Sequence, residues 1–257
     1  MASQRVMALW RIAAFLLVTA LTSTPGQAGE VHVAVATNFA GPMASLAIAF
    51  ERESGHRALV SLGATGQLYA QIRQGAPYEV LLSADSSTPS KLAREGDAIA
   101  TTQRTYAIGR LVLWSRETDT VDAKGEVLRD GDFRRLAIAN PKLAPYGAAA
   151  MQTLNALGLR KRLQAKIVAG ANLNQAFQFV ASGNAELGFV AMSQVMQEGR
   201  LRSGSAWIVP THLHEPIKQD VILLAKGQYN PAALALLRYL DSKRAREIIQ
   251  RYGYELP

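Results

Sequence analysis

The stretch ATNF at residues 36–39 lies between a short β-branched run, 31–35, and a run with helical spacing that begins at Pro42. GATG at residues 63–66 and APYG at residues 144–147 lie in the same place relative to their own apolar runs. Each stretch therefore puts hydroxyls, amides and backbone N–H groups at a helix start. The first N–H groups of a helix lack intrahelical acceptors and lie at the positive end of its dipole. Three such starts in one chain indicate a pocket that holds an oxyanion from several sides.

Strand-like and helix-like runs alternate along most of the chain. Strands that alternate with helices of about 10 to 15 residues indicate βαβ units and mostly parallel sheets. Ligands on such sheets bind at the carboxyl ends of the strands, where the βα turns lie. All three stretches are predicted to be βα turns. The sequence therefore predicts an α/β fold whose ligand lies at this edge.

The first 28 residues have the pattern of a secretory signal peptide. Arg5 and Arg11 precede an apolar stretch, 12–21, and Gly26-Gln27-Ala28 fits a signal-peptidase site. Only about ten residues are continuously apolar, whereas a membrane span needs about 20. We expect cleavage after Ala28 and export of the mature chain to the periplasm, with an uncleaved anchor helix as the alternative.

Composition excludes several classes of protein. The chain has no cysteine, which excludes disulfides, thiolate metal sites and a cysteine nucleophile. The net charge is +8, but the basic residues are scattered, whereas a nucleic-acid binder concentrates them. We therefore expect no nucleic-acid partner. His212 and His214 form a His-x-His pair without an evident third ligand, so no metal ligated directly by the protein is predicted.

Further motifs follow the three stretches in a specific order. They are VATNF (35–39), GATG (63–66), YAQI (69–72), GAPY (75–78), LSAD (82–85), YAIG (106–109), LVLW (111–114), ANP (139–141), APYG (144–147), residues 183–190 and RYGY (251–254). Taken together, they resemble the periplasmic substrate-binding proteins of molybdate ABC transporters. The resemblance covers nearly the whole mature chain.

The resemblance implies a type II periplasmic-binding fold. In that fold two α/β lobes, each a mostly parallel sheet flanked by helices, are joined by two crossing strands and close over the ligand. The crossings are expected within 106–114 and 218–224. They divide the chain into a first lobe of residues 29–108 plus 219–257 and a second lobe of residues 109–218.

By matching position, the resemblance also implies five molybdate-contacting residues: Thr37, Asn38, Thr65, Tyr146 and Leu173. Thr37 and Asn38 would supply a hydroxyl and backbone N–H groups. Thr65 would do likewise, where the family more often has Ser. Tyr146 would supply its backbone N–H, with its ring as a candidate lid. Leu173 would supply a backbone N–H, and a shift of one residue, to Asn172 or Asn174, stays open.

The expected ligand suits a site made of uncharged donors. Molybdate at neutral pH is a dianion without a proton, so it accepts hydrogen bonds and donates none. Charge-assisted hydrogen bonds and helix termini can stabilise it without an Arg or Lys. The candidate turns contain no basic residue. We predict high-affinity molybdate binding and delivery to a membrane ABC permease by a monomer, with no cofactor and no catalytic residue.

Three alternatives stay open at this point. The ligand is another tetrahedral oxyanion, namely tungstate, sulfate or phosphate. Thr37, Asn38 and Thr65 are ordinary helix N-caps, a position that Thr and Asn often occupy. The chain is a secreted α/β hydrolase with Asp85 or Tyr146 in its active site, although G-x-S-x-G, H-E-x-x-H and P-loop motifs are absent from the sequence.

Overall fold

The computed structural model describes residues 28–257, so the predicted signal peptide lies, except for Ala28, outside the described residues. Strands β1 to β12 span Glu30–Ala36, Arg57–Gly63, Val80–Ser83, Arg104–Gly109, Leu111–Ser115, Leu136–Ala139, Ile167–Gly170, Leu187–Ala191, Met196–Gln197, Arg200–Leu201, Ser205–Ile208 and Ile217–Leu223. Helices α1 to α10 span Ala40–Ser54, Thr65–Arg73, Ser87–Arg94, Val127–Asp130, Pro145–Ala156, Arg160–Leu163, Leu173–Ala181, Met192–Val195, Pro231–Leu240 and Lys243–Arg251.

Ten of these strands form two five-stranded sheets, each in its own lobe, and β9 and β10 form a separate two-stranded sheet. The first has the order β2-β1-β3-β12-β4 and the second the order β11-β5-β8-β6-β7. Phe39 and Phe50 are fully buried in the core of the first lobe, and Leu136 and Phe189 are buried in that of the second. The predicted two-lobed α/β fold is therefore confirmed. None of the helices over residues 28–257 is long and apolar enough to cross a membrane.

Each sheet is mostly parallel, as predicted, because four of its five strands run in one direction and a single strand, β12 or β5, runs in the opposite direction. β1 is parallel to β2 and β3, and β6 is parallel to β7 and β8. β12 is antiparallel to β3 and β4, while β5 is antiparallel to β8 and β11. Parallel neighbours need a helical crossover between them, and β5 and β12 instead enter their sheets from the opposite lobe. The spacing of apolar residues in the sequence does not indicate whether a strand runs parallel or antiparallel to its neighbours.

The chain passes between the lobes at two places. The run 106–114, predicted as one strand, is divided: β4 ends at Gly109 in the first sheet, and β5 begins at Leu111 in the second. Arg110 lies between them and forms an ion pair with Glu255. The chain returns over residues 209–216, before β12. The lobe boundaries at 108/109 and 218/219 stay a prediction.

The topology brings two helix starts to one edge of each sheet. β1 leads into a 3-10 turn, Thr37–Phe39, and then α1, whereas β2 leads directly towards α2. In the second lobe, β6 and β7 precede α5 and α7. Phe39 anchors the first of these turns, because its ring packs edge-on against Tyr106 with 5.0 Å between centroids. The carboxyl ends of these parallel strands therefore face the space between the lobes.

Tyr106 offers a test of core packing. Its hydroxyl is buried and has no hydrogen-bond partner within residues 28–257, and burial raises its pKa well above the ordinary value. An unsatisfied buried polar group costs about 1–3 kcal/mol. We expect Tyr106→Phe, which keeps the ring contacts, to raise the free energy of unfolding by about 1 kcal/mol in urea denaturation.

The matched control is Tyr252→Phe. It removes a hydroxyl that is hydrogen-bonded to Ser45 at 2.9 Å, so its free energy of unfolding should fall. A Tyr106→Phe protein that is less stable than the parent would show that the hydroxyl does have a partner in solution.

Candidate functional site

The five residues predicted from the resemblance line one small cavity between the lobes. Its walls are Ala36, Thr37, Asn38, Gly63, Ala64, Thr65, Ala84, Ala144, Pro145, Tyr146 and Leu173. The cavity measures about 10 Å³, close to the space that the centre of one water molecule requires. That these residues bind an anion stays a prediction, but the structure does bring all five together.

Each predicted residue lies in the first turn of a helix. Thr37 and Asn38 begin the 3-10 turn before α1, and Thr65 is the first residue of α2. Tyr146 is the second residue of α5, after Pro145, and Leu173 is the first residue of α7. First-turn N–H groups lack intrahelical acceptors, and four positive helix ends meet at the cavity. The arrangement can therefore donate several hydrogen bonds to one anion.

Alanines occupy the N-cap positions of three of these starts. Ala36, Ala64 and Ala144 precede the first helical residue and make no side-chain capping bond. Asn230 and Ser242, by contrast, accept N–H bonds at the starts of α9 and α10. The alternative that Thr37, Asn38 and Thr65 are ordinary N-caps is therefore wrong. An alanine cap leaves the first N–H groups free of side-chain acceptors from the cap itself.

Asn172 is the one N-cap at the site with a capping side chain. Its Oδ1 accepts the N–H of Gln175, so this capping bond does not use the N–H of Leu173, the first residue of the helix. Leu173 lines the cavity, whereas the side chain of Asn174 accepts a hydrogen bond from Gln194 at 3.0 Å. The geometry thus favours Leu173 over its two neighbours.

The hydroxyl of Thr65 is oriented by a neighbouring turn. Its Oγ1 accepts the N–H of Ala84 at 3.2 Å, and the residue is 2% exposed. A hydroxyl has one proton and two lone pairs, so the proton stays available to a ligand. Sequence reasoning missed Ala84, although its place directly after β3, at the same sheet edge, was the available signal.

The ring of Tyr146, the candidate lid, is buried, and its role as a lid stays a prediction. Tyr146 is 2% exposed, and its hydroxyl lies against the crossing strand, only 2.1 Å from where a Cβ at Gly109 would stand. Burial, with a contribution from Tyr254, raises the pKa of Tyr146 well above its ordinary value. The ring is therefore a neutral group packed between the lobes, and Tyr146 also lines the cavity.

The cavity has no charged wall. Of the residues described, those lining it include no Lys, Arg, His, Asp or Glu. A larger cleft of about 770 Å³ adjoins it and is lined by Lys142, Lys218, Asp85 and Glu215, among others. No group of three potential metal-ligating side chains occurs over residues 28–257. An anion in the cavity would thus be held by dipoles and not by a counter-charge.

Asp85 caps a helix. Its Oδ1 accepts the N–H of Thr88 at 2.7 Å at the start of α3, and its carboxylate also accepts the hydroxyls of Ser87 and Thr88. These bonds give the carboxylate a structural role. The hydrolase alternative therefore loses its candidate general base.

A main-chain hydrogen bond holds the two lobes together beside the cavity. The N–H of Gly66, in α2, donates to the carbonyl of Leu143 in the other lobe at 2.9 Å. A Cβ at Gly66 would lie 3.1–3.3 Å from Leu143 atoms, including its backbone. A side chain at position 66 would therefore require the Leu143 segment to shift by a few tenths of an ångström, and nothing in the local sequence pattern indicates the Leu143 contact.

A family model described as bacterial extracellular solute-binding protein matches residues 31–255. The chain belongs to this family. The molybdate-binding protein ModA of Azotobacter vinelandii is 53% identical over 92% of this chain and 94% of its own length. ModA of Rhodobacter capsulatus is 48% identical over 90% of both chains. The predicted resemblance is therefore confirmed.

A solved structure agrees with this assignment. The structure of the Azotobacter vinelandii periplasmic molybdate-binding protein superimposes with a TM-score of 0.86 at 41% identity. The match covers 88% of this chain and 99% of that one. Similarity therefore extends over both lobes and the whole cavity region.

Gly66→Ala tests the lobe contact. The added methyl group lies closer to the Leu143 backbone than most Cβ contacts allow, so full closure is obstructed. We expect affinity for the predicted ligand, molybdate, to fall about tenfold in calorimetry, equivalent to about 1.4 kcal/mol. Gly29→Ala is the control, because its Cβ would meet its nearest neighbours at an ordinary 3.5 Å. Equal affinities for both variants would refute the contact's role in closure.

Proposed function

We propose that this protein binds molybdate with high affinity in the periplasm and delivers it to an ABC permease in the inner membrane. One observation carries the proposal: helix starts from both lobes converge on a cavity without charged walls. The relatives at 53% and 48% identity, both named molybdate-binding proteins, support the choice of ligand.

The chemistry of the walls selects for a fully deprotonated anion. The backbone N–H groups of Thr37, Asn38, Thr65, Tyr146 and Leu173 and the hydroxyls of Thr37 and Thr65 are the proposed donors. Bonds from such donors to an ionised acceptor are about twice as strong as neutral ones. Phosphate keeps a proton near neutral pH and needs an acceptor for it, which these walls supply poorly. Tungstate has the same charge and shape as molybdate and should bind similarly.

Binding is proposed to close the lobes and release to reopen them. Because donors come from both lobes, the full set forms only in the closed state. We propose that the protein acts as a monomer without a cofactor and without turnover. The proposed periplasmic location is supported by the signal-peptide pattern of residues 1–28 and by the periplasmic relative. No observation favours the hydrolase, since the carboxylate of Asp85 caps α3.

Calorimetry on ligand-stripped protein tests the proposal. Molybdate, tungstate, sulfate and phosphate are titrated separately at neutral pH. We expect one-to-one binding of molybdate, tungstate within about tenfold of it, and phosphate at least about 100-fold weaker, a difference of about 2.8 kcal/mol. A molybdate titration without heat or a shift in melting temperature would remove the proposal, as would tighter binding of phosphate than of molybdate.

Thr65→Val tests a single donor. Valine keeps the shape of threonine and removes its hydroxyl. A hydrogen bond to a charged group contributes about 1.5–3 kcal/mol, so molybdate affinity should fall about 10- to 100-fold. Thr65→Ser should retain most of the affinity. Since Ala84 also loses its acceptor in Thr65→Val, the melting temperature without ligand is measured to separate lost stability from lost binding.

A further inference from the structure

The amide nitrogen of Asn38 is fully engaged by other side chains of the protein. Its Nδ2 donates to Oε1 of Gln219 at 2.7 Å and to the hydroxyl of Tyr254 at 2.9 Å. An amide nitrogen has two protons, so neither is left for a ligand. Asn38 is 3% exposed, and Gln219 is fully buried. The side chain therefore connects the cavity wall to distant parts of the chain.

The carbonyl of Asn38 makes a second set of connections. It accepts the hydroxyl of Tyr254 at 2.8 Å and the hydroxyl of Ser193 at 2.8 Å. Ser193 belongs to α8, directly after strand β8 of the second sheet, whereas Asn38 belongs to the first lobe. The Ser193 bond therefore joins the two lobes. We call Asn38, Ser193, Gln219 and Tyr254 the Asn38 cluster.

Gln219 lies in β12, the strand by which the chain re-enters the first lobe from the second. The register between β12 and β4 shifts between Gln219 and Asp220, where Tyr106 of β4 is left without a paired residue. Nε2 of Gln219 donates to the carbonyl of Ile217, which fixes the amide, and it lies 3.2 Å from where a Cβ at Gly109 would stand. The cluster therefore touches both places where the chain passes between the lobes.

We propose that Asn38 is a positioning residue that couples oxyanion occupancy to lobe closure, with Ser193 as its contact in the second lobe. The inference rests on the proposed function and deepens it. Asn38 lines the cavity, where its backbone N–H is a proposed donor, while its carbonyl and amide nitrogen bind Ser193 of the second lobe, Gln219 of β12 and Tyr254 of the C-terminal segment. An anion that fixes the 37–39 turn thereby orients the acceptor for Ser193. Closure in turn orders the donor that contacts the anion.

Ser193→Ala tests the coupling, because it removes one hydroxyl that touches no ligand in the proposed site. Loss of a neutral hydrogen bond predicts molybdate affinity about 3- to 10-fold weaker. Because the bond stabilises the closed state only, stopped-flow measurements should show faster dissociation with an unchanged association rate. The melting temperature of the ligand-free variant should match that of the parent. Tyr254→Phe should weaken affinity similarly.

Matched controls remove equivalent hydroxyls inside the first lobe. Ser54→Ala deletes a bond to the Phe50 carbonyl at 2.7 Å, and Tyr252→Phe deletes the bond to Ser45. Both should lower stability without a change in the dissociation rate.

The outcomes separate the two proposals. If the parent protein binds none of the oxyanions, the proposed function fails. If the parent binds molybdate but Ser193→Ala dissociates no faster than Ser54→Ala, the coupling is refuted and the function stands. The coupling is also refuted if Ser193→Ala loses affinity through slower association together with a lower ligand-free melting temperature, because that result assigns the cluster to general folding.

Discussion

A doubly charged anion can be buried without a counter-ion only if aligned donors replace its lost water. Removing an ion from water costs several kcal/mol even in a relaxed protein, and donors that must first be oriented add a further cost. First-turn N–H groups are oriented by the helix that follows them. The free-energy cost of orienting these donors therefore arises during folding and not when the anion binds. The strands β1, β2, β6 and β7 end at facing edges and deliver four such starts to one cavity. The two-lobed topology is therefore the means by which uncharged groups become an anion site.

The same constraint explains the small residues around the cavity. Gly66 permits a main-chain bond between lobes, and Gly109 leaves space for the Tyr146 hydroxyl. Alanine at the three N-caps leaves the donors without a competing side chain. These positions contribute because they lack a large or polar side chain. A closed cavity of low polarity also strengthens each hydrogen bond within it, because fewer water molecules screen the charge.

Local patterns predicted much of this structure, and non-local contacts account for what they missed. The βα turns were recognisable because apolar periodicity and turn residues are short-range properties, and the family resemblance supplied Tyr146 and Leu173. The division at Arg110 was missed, since β4 and β5 form a continuous apolar run whose two halves join different sheets. The contacts of Asn38 with Gln219 and Tyr254 span 181 and 216 residues, and no local rule encodes them.

The reliance on backbone donors has a consequence for inheritance. Every residue type except proline carries a main-chain N–H, so most substitutions at Leu173 or Tyr146 leave the donor in place. Substitutions that accumulate at these positions therefore preserve the donors as long as the backbone conformation is unchanged. Related proteins can therefore differ in the residue types that line the pocket while keeping its backbone donors. New substrate preferences would then arise by small shifts in helix position, which point mutations at the wall seldom produce.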